Sequence, residues 1–217
     1  MSNYLAIATV TSVLQEIIQQ AVGVIPGALV SVQRPDKVSI GNSNKPGVNI
    51  FLYQIALNAA WLNTDIVIRR PRVNDPNNRA ADIVTSTAQV PFHLNYLLSF
   101  YGDETKLETQ RLLGSVLGEL HLQPIFQPTV IQKTIQKTVI LEKSDLAFQA
   151  EYIEPLKLSP LALSLEELSK LWSVFFQVPY VLSIAYQVST VLIEPGSSIS
   201  TGVVHDVEIG VDPEVAS

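Results

Sequence analysis

The chain has 217 residues, 47% of them apolar and only 16% charged, where an ordinary soluble domain is roughly 25% charged. That is enough for one domain with a core of its own, and the shortage of charge suggests apolar surface shared with partners. The formal net charge of -6 argues against nucleic acid, and the lack of cysteine excludes disulfides, thiolate zinc sites and a cysteine nucleophile.

Residues Tyr4 to Val22 are predicted to form an amphipathic helix, with Ile7, Val10, Leu14, Ile17, Ile18 and Ala21 on one side and Gly23 and Pro26-Gly27 closing it. The start MSNYLAIATVTSVLQEI lacks a basic run and a small-residue cleavage site, so the expected compartment of assembly is the cytoplasm. Ala28 to Gln33 and Val48 to Leu57 read as strands on either side of the turn-rich GNSNKPG. From Asn58 to Gln89 no period is sustained. This long connection holds Trp61 and the run Arg69, Arg70, Pro71, Arg72, and a connection of that length is usually functional or mobile.

Pro91 to Phe100 alternates as a strand, with Phe92, Leu94, Tyr96, Leu98 and Phe100 on one face. A helix is expected after Y-G-D-E, with Thr105 and Glu108 as a capping box and Leu113, Val116, Leu117 and Leu120 as its buried stripe. Pro124 and Pro128 punctuate the chain beyond this helix. Ile131 and Ile135 then stand one helical turn apart within QKTIQKT, and 146–158 is ambiguous with some strand character.

The run Leu171 to Ile193 holds 23 residues without a charge, long enough to cross a bilayer as one helix. Pro179 interrupts it. Ser164 to Glu167 (SLEE) reads as a capping box, and Leu165, Leu168, Trp172 and Phe175 recur at helical spacing, with Leu171 and Phe176 beside them. After the proline, Tyr180, Leu182, Ile184, Tyr186, Val188 and Leu192 alternate with small and polar residues. The run is therefore expected to be a helix followed by a long strand. Residues 195–217 carry Asp206, Glu208, Asp212 and Glu214 but no Lys or Arg, a tail that is either flexible or pairs with a neighbour's sheet edge. The fold class is α+β, a mixed and mainly antiparallel sheet of four to six strands against about three helices, with the domain at 1–194 and the acidic tail at 195–217.

No catalytic, cofactor or metal constellation emerges from the sequence. His93, His121 and His205 are scattered, and His121 suits a helix C-terminus. Asp103-Glu104 and Glu166-Glu167 fall at helix starts, where negative charge is favourable. Nucleophile-elbow, Walker and dinucleotide-binding motifs are missing. Gly114 and Gly118 form a small-xxx-small pair that would let a neighbouring element pack closely. The Arg69–Arg72 run is the one concentrated positive feature. It reads either as a solvated loop or as a set of forks docking on a neighbouring subunit's carboxylates.

Four segments together carry a likeness: Ser2 to Gln15, Gly47 to Asn63, Asn95 to His121 with S-F-Y-G-D-E, and Ser164 to Glu194 with L-S-K-L-W-S-V-F-F-Q. They resemble the N-terminal domain of the cap, or tail-terminator, proteins of phage-tail-like contractile injection systems, of the antifeeding prophage and Photorhabdus virulence cassette type. The resemblance implies a tail-terminator-like fold and a homo-hexameric ring that ends tube growth and anchors the last sheath layer. The implied partners are further copies of the chain and the inner tube and sheath proteins, with no nucleic acid, membrane insertion, cofactor or enzymatic activity. A tube or baseplate adaptor of the same machine is the alternative. The residues expected at subunit, tube or sheath contacts are Trp61, Arg69, Arg70, Arg72, His205, Asp206 and Glu208.

Overall fold

A computed structural model describes residues 5–38, 45–62, 68–69, 84–85, 90–137, 156–175 and 177–193. The apolar period of the N-terminal segment produces α1 (Ala6–Ala21), continued by one 3-10 turn at Val22–Val24. Its buried side runs through Val10, Val13, Leu14, Ile17, Ile18 and Ala21, while Ile7 is only partly covered. The chain then enters β1 (Leu29–Ser31), shorter than the expected strand, and β2 (Gly47–Leu57). The one-turn helix α2 (Ala59–Leu62) and the paired strands β3 (Ile68–Arg69) and β4 (Val84–Thr85) occupy parts of the long connection.

Next come β5 (Val90–Tyr101), α3 (Glu108–Leu122), β6 (Ile125–Phe126), α4 (Pro128–Lys137), β7 (Leu156–Leu161), α5 (Leu165–Ser173) and β8 (Ser183–Ile193). The main sheet has six strands in the order β1-β2-β5-β8-β7-β6, parallel at β1–β2 and antiparallel elsewhere. With four helices longer than one turn among the described residues, the architecture is α+β with a mixed sheet. Pro179 separates α5 from β8, so the charge-free run is two elements; no helix among the described residues is long and apolar enough to cross a membrane.

One face of the sheet carries most of the core. Leu94, Tyr96, Leu98 and Phe100 of β5 meet α1 and the Leu112, Val116, Leu120 stripe of α3, with Ile131 and Ile135 of α4 beside them. The expected α3 stripe is corrected here: Leu112 is central, and Leu113 and Leu117 lie at its margin. The helix start also differs from the expected capping box. Asp103 accepts from the Thr105 N–H at 2.9 Å, capping a 3-10 turn at Glu104–Lys106, and Leu107 then turns left-handed at φ 54 before α3 begins. Glu108 folds back to accept the Asp103 N–H at 2.9 Å. That fold-back needs Gly102, because a Cβ there would stand 2.8 Å from the Glu108 Cβ.

Glu16 ties α1 to α4 by accepting from the Lys137 ammonium and from the Thr134 hydroxyl at 2.7 Å. These two donors, Lys137 first, hold its carboxyl below the ordinary 4.5. A depressed carboxylate contributes stability above its unfolded pKa and loses it as pH falls through the folded value. The Lys137 side chain is 67% exposed, so screening keeps the contribution small. Glu16→Gln is therefore expected to lower stability near neutral pH by about 0.5 kcal/mol and to leave it unchanged well below pH 4.5. Thermal melts of both proteins at the two pH values check this.

Candidate assembly surface

The other face of the sheet is covered by a thinner layer. Ser164 caps α5 by accepting the Glu167 N–H at 3.2 Å, and the Glu167 carboxylate accepts the Ser164 N–H at 2.8 Å. This reciprocal box orients the nine-residue helix so that Trp172, and Phe175 just past its end, pack on Leu97. Trp172 also stands edge-on to Phe175 and Tyr180 at 5.8 and 5.7 Å between centroids, and its Nε1 donates to Ser183 Oγ at 3.1 Å. Leu165, which shares the helical spacing of Leu168 and Trp172, is 82% exposed on the first turn of α5. Phe176 lies outside the described residues. Ser164→Ala removes the cap and is expected to cost about 1 kcal/mol, read as a lower urea midpoint at unchanged slope.

Beside this apolar cluster the same face carries a row of amides across three strands. Gln187 Nε2 donates to Asn95 Oδ1 at 3.0 Å, and Asn95 Nδ2 donates to Gln54 Oε1 at 3.0 Å. Asn95 is buried, so its two bonds meet the demand that buried amides be paired. Nearby, Asn58 Nδ2 donates to Thr190 Oγ1 at 3.0 Å.

The two edges of the sheet are finished differently. At the β6–β7 edge, Leu158 donates to the Pro124 carbonyl, and Pro160 follows on the same outward side, where it has no N–H to offer another strand. At the opposite edge, β1 is held from within. The Leu29 N–H bonds the Pro46 carbonyl, and the Asn49 amide both donates to the Gln33 carbonyl at 3.0 Å and accepts its N–H at 3.2 Å. Alternation along the strand then turns the N–H and C=O of Val30 and Val32 outward. Among the described residues no strand lies beyond β1, and Leu29 and Val32 are exposed there.

Of the residues expected at contacts, Trp61 falls in α2 and Arg69 in β3, opposite Val84. Arg70, Arg72, His205, Asp206 and Glu208 lie outside the described residues. The small-xxx-small expectation is corrected: a Cβ at Gly114 or Gly118 would meet nothing within 4 Å, because both sit on the open side of α3. The close contact between α3 and α1 comes instead from Ser115, whose hydroxyl donates to the Ala21 carbonyl at 2.7 Å. His121 Nδ1 lies 2.8 Å from the Leu117 carbonyl on the exposed last turn of α3. No group of three or more His, Asp or Glu that could hold a metal occurs among the described residues. What sequence reading missed is the open edge at β1, which shows only once strand order is known.

The family model described as the Pvc16 N-terminal domain matches residues 9–205. The chain belongs to the Pvc16 N-terminal domain family. The solved structures that share the fold include two described as terminators. One is the sheath/tube terminator of an extracellular contractile injection system (PVC) in the extended state, at TM-score 0.60 and 16% identity, covering 96% of this chain and 64% of that one. The other is the tube-terminating cap of the anti-feeding prophage, at TM-score 0.57 and 14% identity, covering 94% of this chain and 61% of that one. This Pvc16 domain thus spans less than two thirds of either structure it matches. No curated protein sequence matches it.

Proposed function

We propose that this Pvc16 domain is a structural cap, ending the tube and sheath of a contractile injection particle. The observation that carries the reading is the agreement of its fold, over nearly the whole chain, with a sheath/tube terminator and a tube-terminating cap. In this reading the chain acts as a scaffold rather than an enzyme. Identical copies form a six-membered ring, in which every copy offers the same two complementary patches to its neighbours. One face of the ring fits the last layer of the tube and the other offers no copy of that layer, so growth stops for want of a template. The ring also holds the last sheath layer.

The chemistry of the chain supports an assembly role. Few charges, exposed Leu165, Val174 and Tyr180 on the thinly covered face, and an open β1 edge supply surface for neighbours. Arg69, Arg70 and Arg72 would pair with carboxylates of an adjacent copy, easing the repulsion between subunits of net charge -6, and Trp61 would pack beside them. Assembly takes place in the cytoplasm, and the finished particle carries the ring. To test the placement, particles are assembled with a tagged chain and viewed by negative stain. Label at the one end distal to the baseplate is expected; label along the shaft or at the baseplate would overturn the reading.

A further inference from the structure

The β1 edge and the acidic C-terminal segment have complementary features. Val30 and Val32 direct unpaired N–H and C=O groups outward among the described residues, and Leu29 and Val32 expose apolar side chains on opposite faces of the strand. In sequence, residues 28–47 hold Arg34, Lys37 and Lys45 against one acid, Asp36, which already pairs with Arg34 at 3.1 Å. Residues 203–209 read VVHDVEI, with Val203, His205, Val207 and Ile209 alternating with Val204, Asp206 and Glu208. An added strand needs one apolar side to extend the sheet's core face, and acids on it would meet the basic flanks. The opposite edge offers less, because β6 is only two residues long and Pro160, on the part of β7 that β6 leaves uncovered, has no N–H to donate.

We propose that residues 203–209 of one copy add as a strand to the β1 edge of a second copy of this chain. The proposal rests on copies sitting side by side, as in the ring above. Geometry favours a neighbour's edge over the chain's own. β8 ends at Ile193, opposite Val90, near the far end of β2 from β1. Reaching the outer side of β1 within one subunit means crossing about 19 Å of sheet and about 26 Å along it. The ten steps from Ile193 to Val203 span about 33–36 Å when fully stretched, barely more than the straight path of about 32 Å, so the link would be taut.

The natural chain has no cysteine, which makes cross-linking between copies unambiguous. Full-length Val32→Cys is mixed with full-length Val203→Cys, Val207→Cys or Ile209→Cys under mild oxidant. The expected result is a mixed disulfide dimer for at least one pair, about a hundredfold faster than for Val32→Cys with a cysteine at the distant Gly114, and slower at high salt. Rapid disulfide formation within the double variant of a single chain, persisting on dilution, would show that the segment covers its own edge and overturn the exchange. Solution mass of the unaltered chain separates the two ideas. Oligomers without a cross-link overturn the strand addition alone, whereas a strict monomer overturns the side-by-side arrangement and the exchange with it.

Discussion

Trp172→Ala is expected to cost about 3–5 kcal/mol and to release α5 from the sheet. The residue is 5% exposed and is the largest side chain holding the second layer. Removing the indole opens a cavity against Leu97, ends both edge-on ring contacts, and leaves Ser183 Oγ without its donor. The main core lies on the opposite face and keeps its contacts. Hydrogen exchange is therefore expected to speed up in α5 well before α1 or α3, while the urea midpoint falls. A uniform rise in exchange across all helices would show that the two faces do not behave as separate layers.

Phe100→Ala is expected to lose a similar amount, about 3–5 kcal/mol, but as a global effect. Phe100 is fully buried on the central strand β5, within the cluster that joins α1, α3 and α4 to the sheet. That position gives no local way out. Urea unfolding followed by far-ultraviolet circular dichroism is expected to show a single transition with a lower midpoint and no early loss of α5. A loss below about 1 kcal/mol would mean that the site collapses around the missing ring and that the helix-covered face is not the main source of stability.

Local chemistry explains why some elements were legible from the residues. Pro179 splits the charge-free run, the Ser164–Glu167 box starts α5, and the apolar period of α1 marks its buried side. Where the structure departs from the period, the cause is not local. In β8, strict alternation points Leu192 inward, but the sheet buries Val191. The register shift between Phe92 and Leu94 of β5 places two residues of β8 against one, and parity changes after Val188. A second shift, between Leu52 and Gln54, sets β2 against β5. Such shifts depend on the partner strand and leave no mark in one segment's pattern.

The candidate surface was less legible for the same reason. Arg69–Arg72 and the acidic tail stand out by composition alone, whereas an open edge is a property of strand order. Only the sheet order shows that ALVSVQ ends up outermost on one side while the short β6, beside the proline-bearing β7, ends the other. The amide row of Gln54, Asn95 and Gln187 likewise joins residues far apart in the chain.

What decides the matter is the length of the finished filament. If this molecule supplies the blunt end, particles made in its absence will carry tubes of scattered and often excessive extent, and adding it back will restore one sharp value in micrographs. Tubes that keep a single normal size without it would mean that something else says stop.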